Sequence, residues 1–381
     1  MCPGEGLLKT KKKKSGGDAS TSLLRLPMER RFAHELEALE AEEGPKPPGW
    51  RMSPRAVRTF IVGGEAGGVE VRKKYYGAPT LVDRCIVTLM SNRALLLVGE
   101  PGTAKTMLSE LLSAAISGTS QNTVQGSAGT TEDHIKYSWN YAMLLAKGPS
   151  REALVPSPVY RGLEQGQLVR FEEVTRCPPE IQDALISVLS DKVIQVPELG
   201  DDASVYATRG FNVIATANLR DRGVHEMSSA LKRRFNFEIV PPIASLELEV
   251  RLVREQTEEL LRESEVEATL PEDVVGLLVT SFQELRSGKS GDGRPIDKPS
   301  TVMSTAEAVA VAFASALDAA WFGDGTLTPE HLVRHLRGTV TKDGDRDQEK
   351  VRQYFDVIVK ARGKKDPLWK RLYAARDQLD E

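Results

Sequence analysis

A glycine-rich segment that ends in a lysine and a hydroxyl residue has the clearest chemistry in this sequence. It follows the apolar run Ala94–Val98 and consists of Gly99, Glu100, Pro101, Gly102, Thr103, Ala104, Lys105 and Thr106. Backbone N–H groups of such a loop, with the N-terminus of a following helix, bind phosphate groups. Lys105 can contact the β- and γ-phosphates of ATP, and the Thr106 hydroxyl can bind Mg²⁺. The segment therefore predicts a P-loop.

The elements on both sides of this loop support the prediction. Apolar residues at helical spacing follow it, and Gly118 is placed to end that helix; the spaced residues are Leu108, Leu111, Leu112, Ala115 and Ile116. Ala104 occupies the position of the second glycine of the general P-loop pattern. The particular advantage of glycine is a positive φ, so alanine is acceptable at this position on the expectation that the residue has helical backbone angles.

Two adjacent acids follow the next clear strand pattern. Residues 167–171 read as a strand, and Glu172 and Glu173 come directly after it. The carboxyl ends of parallel strands meet at one edge of a sheet, so this pair is expected beside the P-loop. We predict that Glu172 binds in the Mg²⁺ shell and that Glu173 orients and deprotonates the attacking water. P-loop ATPases usually have aspartate as the first acid of this pair, and the side chain of Glu172 is one methylene longer.

An asparagine and an arginine complete the predicted catalytic set. Asn218 follows the strand pattern that begins at residue 211, where it can hydrogen-bond the γ-phosphate and the attacking water. Arg234 precedes the aromatic Phe235, as an arginine finger would, and its charge would stabilise the transferred phosphoryl group. Arg233, one residue earlier, is the alternative candidate.

Strand and helix patterns alternate through the middle of the chain and then give way to helices alone. Strand patterns occur at residues 94–98, 122–126, 167–171, 211–215 and 235–240. Their alternation with helices predicts an α/β fold with a parallel sheet covered on both faces. Helical patterns at residues 79–92, 246–261, 274–285 and 305–321 include three that follow the last strand. We therefore predict an N-terminal extension (1–50), an α/β nucleotide-binding domain (51–243), a helical domain (244–340) and a C-terminal helical extension (341–381).

Composition and charge narrow the classes of partner and compartment. The chain has 381 residues, of which 40% are hydrophobic and 28% charged, with a net charge of −3. This charge provides no general attraction to nucleic acid or to an anionic membrane. Cys2, Cys85 and Cys177 are too few and too scattered for a disulfide framework, which favours the cytoplasm. Without a long apolar run or an apolar segment near the start, we predict neither a membrane span nor a signal peptide.

The first fifty residues have a composition of their own. Lys9 and Lys11 to Lys14 form a basic cluster, and residues 44–49 are rich in proline and glycine. A lysine run can bind phosphate backbones, but it is more often a solvated, flexible tail, which is our interpretation here. Residues 28–43 have the composition of a short, highly charged helix.

Taken together, these motifs resemble those of the MoxR family of AAA+ ATPases, in particular its YehL-like branch. The resemblance covers residues 53–320 and is carried by the P-loop with Ala-Lys-Thr, the acidic pair followed by residues 174–185, Ala-Thr-Ala-Asn218 and Arg-Arg-Phe235. It implies a five-stranded core with strand order 5-1-4-3-2, a helical lid and a hairpin inserted at residues 126–158. It also implies ring assemblies, usually hexamers, in which the arginine finger reaches a neighbouring subunit. Such rings remodel partner proteins, often ones with a von Willebrand factor A domain and a metal-dependent adhesion site.

One departure from that family lies in the predicted lid. The family normally has Ser-Pro-Arg-Ala there, and its arginine senses nucleotide within the subunit. This chain has Ser304-Thr-Ala-Glu307-Ala instead. The spacing of Ser304 and Glu307 predicts a capping box that begins the apolar helix. The coupling of lid to nucleotide would then be weaker, or would come from Arg294 or Lys298 in the preceding loop.

The motif set predicts an Mg²⁺-dependent ATPase, and the family resemblance implies that it acts as a chaperone-like remodeller of partner proteins. Two other functions share such a core: a nucleic-acid motor like the McrB restriction subunits, and a scaffold that binds ATP without hydrolysing it. A nucleic-acid motor would need a basic groove or an appended reading domain, and only the lysine cluster is basic. The combined presence of Lys105, Glu173, Asn218 and Arg234 disfavours a scaffold.

Overall fold

A five-stranded parallel sheet forms the centre of the computed structural model, which describes residues 25–200, 203–218, 225–300, 302–340 and 345–380. The strands in chain order are β1 (Gly64–Ala66), β2 (Val69–Val71), β3 (Ala94–Val98), β4 (Thr123–Gln125), β5 (Tyr137–Trp139), β6 (Leu154–Pro156), β7 (Leu168–Glu172), β8 (Val193–Gln195), β9 (Ser204–Tyr206), β10 (Asn212–Ala217) and β11 (Phe235–Ile239). The sheet order is β11-β3-β10-β7-β4, and each pairing is parallel. Numbered along the chain, these strands have the order 5-1-4-3-2, so the predicted fold and strand order are confirmed.

Helices cover this sheet and form a second unit after it. In chain order they are α1 (Met28–Arg31), α2 (Ala33–Glu40), α3 (Pro54–Val62), α4 (Pro79–Met90), α5 (Lys105–Ser117), α6 (Tyr141–Lys147), α7 (Pro158–Gln165), α8 (Pro179–Ser190), α9 (Ser229–Lys232), α10 (Leu246–Glu263), α11 (Glu272–Ser287), α12 (Thr305–Phe322), α13 (Pro329–Val340), α14 (Asp345–Tyr354), α15 (Lys360–Gly363) and α16 (Pro367–Ala374). The helices predicted at 79–92, 246–261, 274–285 and 305–321 are α4, α10, α11 and α12. After α5, Gly118 adopts the left-handed conformation that commonly ends helices, as its position predicted.

Alternate residues of β3 belong to two different hydrophobic cores. Leu95 and Leu97 pack with residues of α3, α4 and α5, whereas Leu96 and Val98 pack with residues of α7 and α8. Every residue of β3, β7 and β10 is buried. This is the pattern expected of parallel strands that are covered by helices on both faces.

Residues 25–50 are part of the α/β unit and not a separate extension. Met28, Leu36 and Leu39 are buried in the same core as α3, α4 and α5. The division expected at residue 50 therefore does not match the packing, because the apolar side chains of α1 and α2 are covered by the α/β unit. Residues 1–24, with the lysine cluster, lie outside the described residues.

The segment 126–158 contains the predicted hairpin insertion. β5 and β6 pair in antiparallel register, with Ser138 opposite Val155. α6 lies between them, so the hairpin consists of two strands that flank a helix. No residue of α6 is buried, although its sequence is mostly apolar, and Tyr141 and Leu145 are exposed.

The helical unit has one hydrophobic core, which runs from residue 250 to residue 379. The C-terminal segment contributes buried residues to this core, among them Val351, Tyr354, Phe355 and Ile358. The Tyr354 hydroxyl also donates to Glu284 of α11 at 2.7 Å. The boundary expected at residue 340 therefore does not separate two packing units, because the C-terminal helices complete the core of α10 to α13.

By length and composition alone, α12 could cross a membrane, and it is the one helix in the described part of the chain that meets this test. It is also a core helix of the helical unit, with Ala308, Ala312 and Ala316 fully buried. Asp318 near its end pairs with Arg334 and His335 of α13 at 2.8 and 3.0 Å. Such packing and charge pairing are those of the central helix of a folded domain.

Candidate active site

A cavity of about 670 Å³ lies between the edge of the sheet and the helical unit. Its walls come from the P-loop, the ends of β7 and β10, residues 75–78 and 241–245, α10 and the start of α12. The carboxyl ends of the parallel strands meet here, where open α/β sheets bind ligands. Residues 100–106, Glu173 and Asn218 all line this cavity, so the structure brings most of the predicted site together.

The P-loop folds around its own lysine. Lys105 Nζ donates to the carbonyl oxygens of Gly99 at 2.9 Å and Glu100 at 2.7 Å. Thr103 Oγ1 also donates to the Glu100 carbonyl, at 2.9 Å. A side chain at Gly99 would overlap the carbonyl oxygen of Val240, directly after β11. Glycine is therefore required at this position because the neighbouring strand passes so close.

Ala104 corrects one expectation, since its backbone is left-handed and not helical, with φ 65° and ψ 23°. This residue is the N-cap of α5, where the chain turns from the loop into the helix. Alanine in this conformation costs roughly 1–2 kcal/mol. The loop thus keeps the conformation that a glycine would adopt, and strain of this kind concentrates at functional sites.

Glu172 is the last residue of β7 and is buried. Its Oε2 accepts hydrogen bonds from Thr106 Oγ1 at 3.1 Å and Thr216 Oγ1 at 2.7 Å. Its Oε1 accepts from Ser109 Oγ and from Arg170 Nη2, each at 2.8 Å. The two residues predicted to bind Mg²⁺, Thr106 and Glu172, are therefore in direct contact.

The donors at this contact fit Mg²⁺. Magnesium sites usually combine oxygen ligands from one or two carboxylates with substrate phosphates and water. Within the described ranges, no group of three or more His, Cys, Asp or Glu side chains could hold a metal ion. A cation here would therefore depend on the phosphates of a bound nucleotide, with Thr106 and Glu172 as the protein's contribution.

Glu173 turns the chain out of the sheet. Its backbone is left-handed, with φ 54° and ψ 46°, and its N–H donates to Thr216 Oγ1 at 2.9 Å. Its side chain is 43% exposed and pairs with Arg176 Nε at 2.6 Å. The strained backbone therefore separates the adjacent acids, because Glu172 turns towards α5 while Glu173 lines the cavity.

Asn218 lies at the end of β10, which runs between β3 and β7. It is 8% exposed and lines the cavity. Asn218 thus follows a strand of the sheet, as its position in the sequence predicted.

Arg234 and Arg233 are not part of this cavity. The Arg234 carbonyl accepts from the N–H of Ala94, at the amino end of β3, whereas the P-loop follows the carboxyl end of that strand. The length of β3 separates the two, roughly 16 Å for five residues. The Arg234 guanidinium donates to Ser190 Oγ at 2.9 Å and to the Ala230 carbonyl at 2.7 Å, while Arg233 is exposed. Neither arginine thus reaches the P-loop of its own chain.

Sequence reasoning missed three polar residues of the α/β unit that hold the acids in place. Thr216 bridges Glu172 and the backbone of Glu173, Arg176 pairs with Glu173, and Arg170 pairs with Glu172. For Arg170 and Thr216, the spacing of residues in the strand patterns could have indicated this role. Side chains two residues apart on a strand share a face, so Arg170 and Glu172 were bound to be neighbours. Thr216 likewise lies two residues before Asn218 in the Ala-Thr-Ala-Asn segment.

The helical unit contributes a cation, Arg286 of α11, to the cavity wall. Its guanidinium pairs with the fully buried Glu249 of α10 at 2.8 Å. Arg294 and Lys298, the replacements expected for the family's lid arginine, do not line the cavity. The position of Arg286 depends on how α10 packs on α11, so no motif in the sequence indicated it.

The predicted capping box begins α12 at the cavity. Ser304 Oγ accepts from the N–H of Glu307 at 3.3 Å, and the Glu307 carboxylate accepts from the N–H of Ser304 at 2.8 Å. Glu307 therefore has the structural role predicted for it.

Two tyrosines, Tyr75 and Tyr76, also line the cavity. Burial raises the pKa of Tyr75 to about 12, and burial with a hydrogen bond to Glu255 raises that of Tyr76 to about 12. Both hydroxyl groups therefore stay uncharged at neutral pH.

Two family descriptions match separate parts of the chain. The AAA domain of the dynein-related subfamily matches residues 94–235, and the C-terminal domain of YehL-like AAA+ ATPases matches residues 247–380. YehL of Escherichia coli K12 is 47% identical over 360 residues, which cover 94% of this chain and 98% of YehL. A Staphylococcus aureus USA300 protein is 30% identical over 145 residues, which cover 38% of this chain and 54% of that protein.

Solved structures with similar folds share little sequence with this chain. NtrX from Brucella abortus aligns over 80% of this chain and 63% of its own, with 14% identity and a TM-score of 0.48. The Thermotoga maritima RuvB Holliday junction branch migration motor aligns over 75% and 78%, with 12% identity and a TM-score of 0.44. The E. coli relationship extends over nearly the whole of both chains, and from it we conclude that this chain belongs to the YehL-like AAA+ ATPases.

Proposed function

We propose that this chain hydrolyses ATP with Mg²⁺ and uses the energy to remodel a partner protein as part of a homo-oligomeric ring. One observation carries the proposal: the P-loop lysine and the exposed carboxylate of Glu173 line a single cavity, and Thr106 on the wall of that cavity contacts Glu172. A nucleotide-binding scaffold needs only the first of these features. The other two are those that hydrolysis requires.

Each residue has a distinct role in this proposal. Lys105 exchanges its bonds to the loop carbonyls for the β- and γ-phosphates of ATP. Thr106 and Glu172 hold Mg²⁺, which neutralises phosphate charge when bound. Glu173 takes a proton from the attacking water, and Asn218 orients that water against the γ-phosphate.

The Glu173→Gln variant tests hydrolysis. It should bind ATP as the wild type does but turn it over about 10²- to 10⁴-fold more slowly, because the amide has no basicity. Glu180→Gln is the matched control, since Glu180 is exposed at the start of α8 and lies outside the cavity. A wild-type chain that binds ATP without turnover would identify a scaffold instead. If Glu172→Gln abolishes turnover while Glu173→Gln stays active, the roles of the two acids are reversed.

The placement of Arg234 supports a ring. An arginine finger at the amino end of β3 cannot reach its own P-loop, so it would act on the nucleotide of a neighbouring subunit. β11 is an edge strand of the sheet, and Phe237 and Ile239 on it are exposed. Exposed apolar residues on an edge strand favour contact with another chain. The hexamer is our proposal from the family resemblance.

Helix α6 supports a protein partner. It is mostly apolar, none of its residues is buried, and it lies between the two strands of the inserted hairpin. An exposed apolar surface of this kind is typical of a protein contact. A partner with a von Willebrand factor A domain is proposed from the resemblance. A cytoplasmic location is also proposed, and the buried free thiols of Cys85 and Cys177 fit a reducing compartment.

Affinity capture tests the partner proposal. Glu173→Gln held in ATP should retain a partner protein, and adding Tyr141→Ser and Leu145→Ser should remove it. The matched control adds Trp321→Ser and Phe322→Ser, which change an equally exposed apolar pair at the end of α12. Duplex DNA should leave the ATPase rate of the wild type unchanged. Strong stimulation by DNA would favour a nucleic-acid motor.

A further inference from the structure

Arg170 is a buried cation in the middle of β7, where its side chain is 5% exposed. Its Nε donates to Ser109 Oγ at 2.9 Å, and its Nη1 donates to the Ser120 carbonyl at 2.8 Å and to Thr123 Oγ1 at 3.1 Å. Its Nη2 donates to Glu172 Oε1 at 2.8 Å. Since an unpaired buried charge is costly, this set of partners fixes the guanidinium in one orientation.

The two oxygens of Glu172 therefore have different surroundings. Oε1 faces Arg170 and Ser109, whereas Oε2 faces Thr106 and Thr216. Thr106 lies at the start of α5 beside the phosphate loop, and Ser109 lies nearly one turn further along the helix. Oε2 is thus the oxygen on the phosphate side, and Oε1 is held on the far side.

Arg170 is shared between two carboxylates. Glu110 of α5 lies 3.4 Å from Arg170 Nη2 and pairs in turn with Arg25 at 2.9 Å. Charges thus alternate along the row Arg25, Glu110, Arg170 and Glu172. Arg170 contacts only Oε1 of Glu172, whereas Oε2 accepts hydrogen bonds from the hydroxyl groups of Thr106 and Thr216.

We propose that Arg170, together with Ser109, is a positioning residue that anchors Oε1 of Glu172 and presents Oε2 to the nucleotide-bound Mg²⁺. This arrangement explains how glutamate serves where aspartate is usual. The extra methylene lets one carboxylate reach the anchor and the P-loop threonine together. The inference rests on the proposed function, since it assigns a role within the same site.

The test measures cation binding apart from catalysis. Mn²⁺ serves as the probe, and its affinity for the chain with ADP is followed by electron paramagnetic resonance. Arg170→Met should weaken Mn²⁺ binding about 10- to 100-fold, the usual loss when an outer-shell partner is removed. It should also raise the Mg²⁺ concentration for half-maximal ATPase activity, while ADP affinity in EDTA stays at the wild-type value. Arg170→Lys should recover part of the Mn²⁺ affinity.

Matched variants separate positioning from stability. Arg362→Met removes an arginine that pairs with the buried Glu284 in the lid, at 2.5 Å and outside the cavity. It should lower the melting temperature and leave Mn²⁺ affinity unchanged. Ser109→Ala removes the second anchor without removing a charge, so it tests the inference if Arg170→Met fails to fold. Its Mn²⁺ affinity should fall several-fold. In the wild-type background, Glu172→Asp should weaken Mn²⁺ binding. In the Arg170→Met background, the same substitution should cause little further loss of Mn²⁺ affinity.

Three outcomes would overturn the inference. Unchanged Mn²⁺ affinity in Arg170→Met, with only a lower melting temperature, would make Arg170 structural. Unchanged Mn²⁺ affinity in Ser109→Ala would show that this residue does not anchor Glu172. Additive losses of Mn²⁺ affinity in Glu172→Asp and Arg170→Met would show that Arg170 does not act through Glu172. The proposed function fails separately, because a wild type that binds Mn²⁺ and ADP without hydrolysing ATP leaves the Mn²⁺ comparison intact.

Discussion

Ser304 of the lid lies directly against Gly102 of the P-loop. A Cβ placed on Gly102 would overlap the Cβ of Ser304, and Gly102 has a φ of 73°. Ser304 is also the N-cap residue of α12. The first turn of the long lid helix is therefore held against the loop that binds phosphates, and a glycine at residue 102 makes this approach possible.

Gly102→Ala should weaken ATP binding by separating the lid from the loop, at a cost of about 1–3 kcal/mol for overpacking. Combining it with Ser304→Gly should restore part of the affinity, because the overlapping Cβ is gone. Glycine is an N-cap only a few tenths of a kcal/mol worse than serine, so Ser304→Gly alone should resemble the wild type. Nucleotide titration of the three variants measures this. If Gly102→Ala and the double variant lose ATP affinity to the same extent, the contact with Ser304 is not the cause of the loss.

Lys105→Ala should lose ATP binding while its thermal stability stays near that of the wild type. The lysine side chain is only partly buried and hydrogen-bonds loop carbonyls, so little packing is lost. Lys147→Ala on the exposed α6 is the control and should bind ATP normally. Titration with a fluorescent ATP analogue measures both. Wild-type affinity in Lys105→Ala would contradict the P-loop assignment.

Arg234→Ala should retain ATP binding and lose up to about 10³-fold in turnover, because a finger acts on transition-state charge. Arg233→Ala should be milder, since the bonds of Arg234 to Ser190 and Ala230 orient its guanidinium in advance. Arg55→Ala on the exposed side of α3 is the control.

Mixing Arg234→Ala with Glu173→Gln shows whether the finger acts between subunits. A mixed ring contains sites with an intact Glu173 beside a neighbour with an intact Arg234, so part of the activity should return. Turnover per subunit of the wild type should also rise with protein concentration as rings form. If mixed rings form but recover no ATPase activity, Arg234 does not act on the nucleotide of a neighbouring subunit.

Arg286→Met should destabilise the lid by about 3–5 kcal/mol, because it leaves Glu249 charged and buried without its cation. Changing Glu249→Gln in the same chain should recover most of that stability. If Arg286 also senses nucleotide, the double variant should still bind ATP more weakly than the wild type. Chemical denaturation and nucleotide titration measure the two effects separately. Wild-type ATP affinity in the stable double variant would restrict Arg286 to a structural role.

Those parts of the site that consist of residues adjacent in the chain could be predicted from the amino-acid sequence. The P-loop from Gly99 to Thr106, the acids at the end of β7 and Asn218 at the end of β10 could all be placed from strand ends. A parallel sheet brings such ends to one edge whatever its loops do. The alternation of strands and helices likewise predicted the α/β fold and the helices that follow it.

Contacts between elements far apart in the sequence could not be predicted in this way, because they follow from how the elements pack. The left-handed backbone angles of Ala104 and Glu173 could not be read from the sequence pattern. The contacts of Glu172 with Thr106 and Ser109 depend on how α5 packs against β7. The presence of Arg286 at the cavity depends on α10 and α11. Burial sets the cost of a charge and the partners that must offset it, and burial is a property of packing that no local pattern contains.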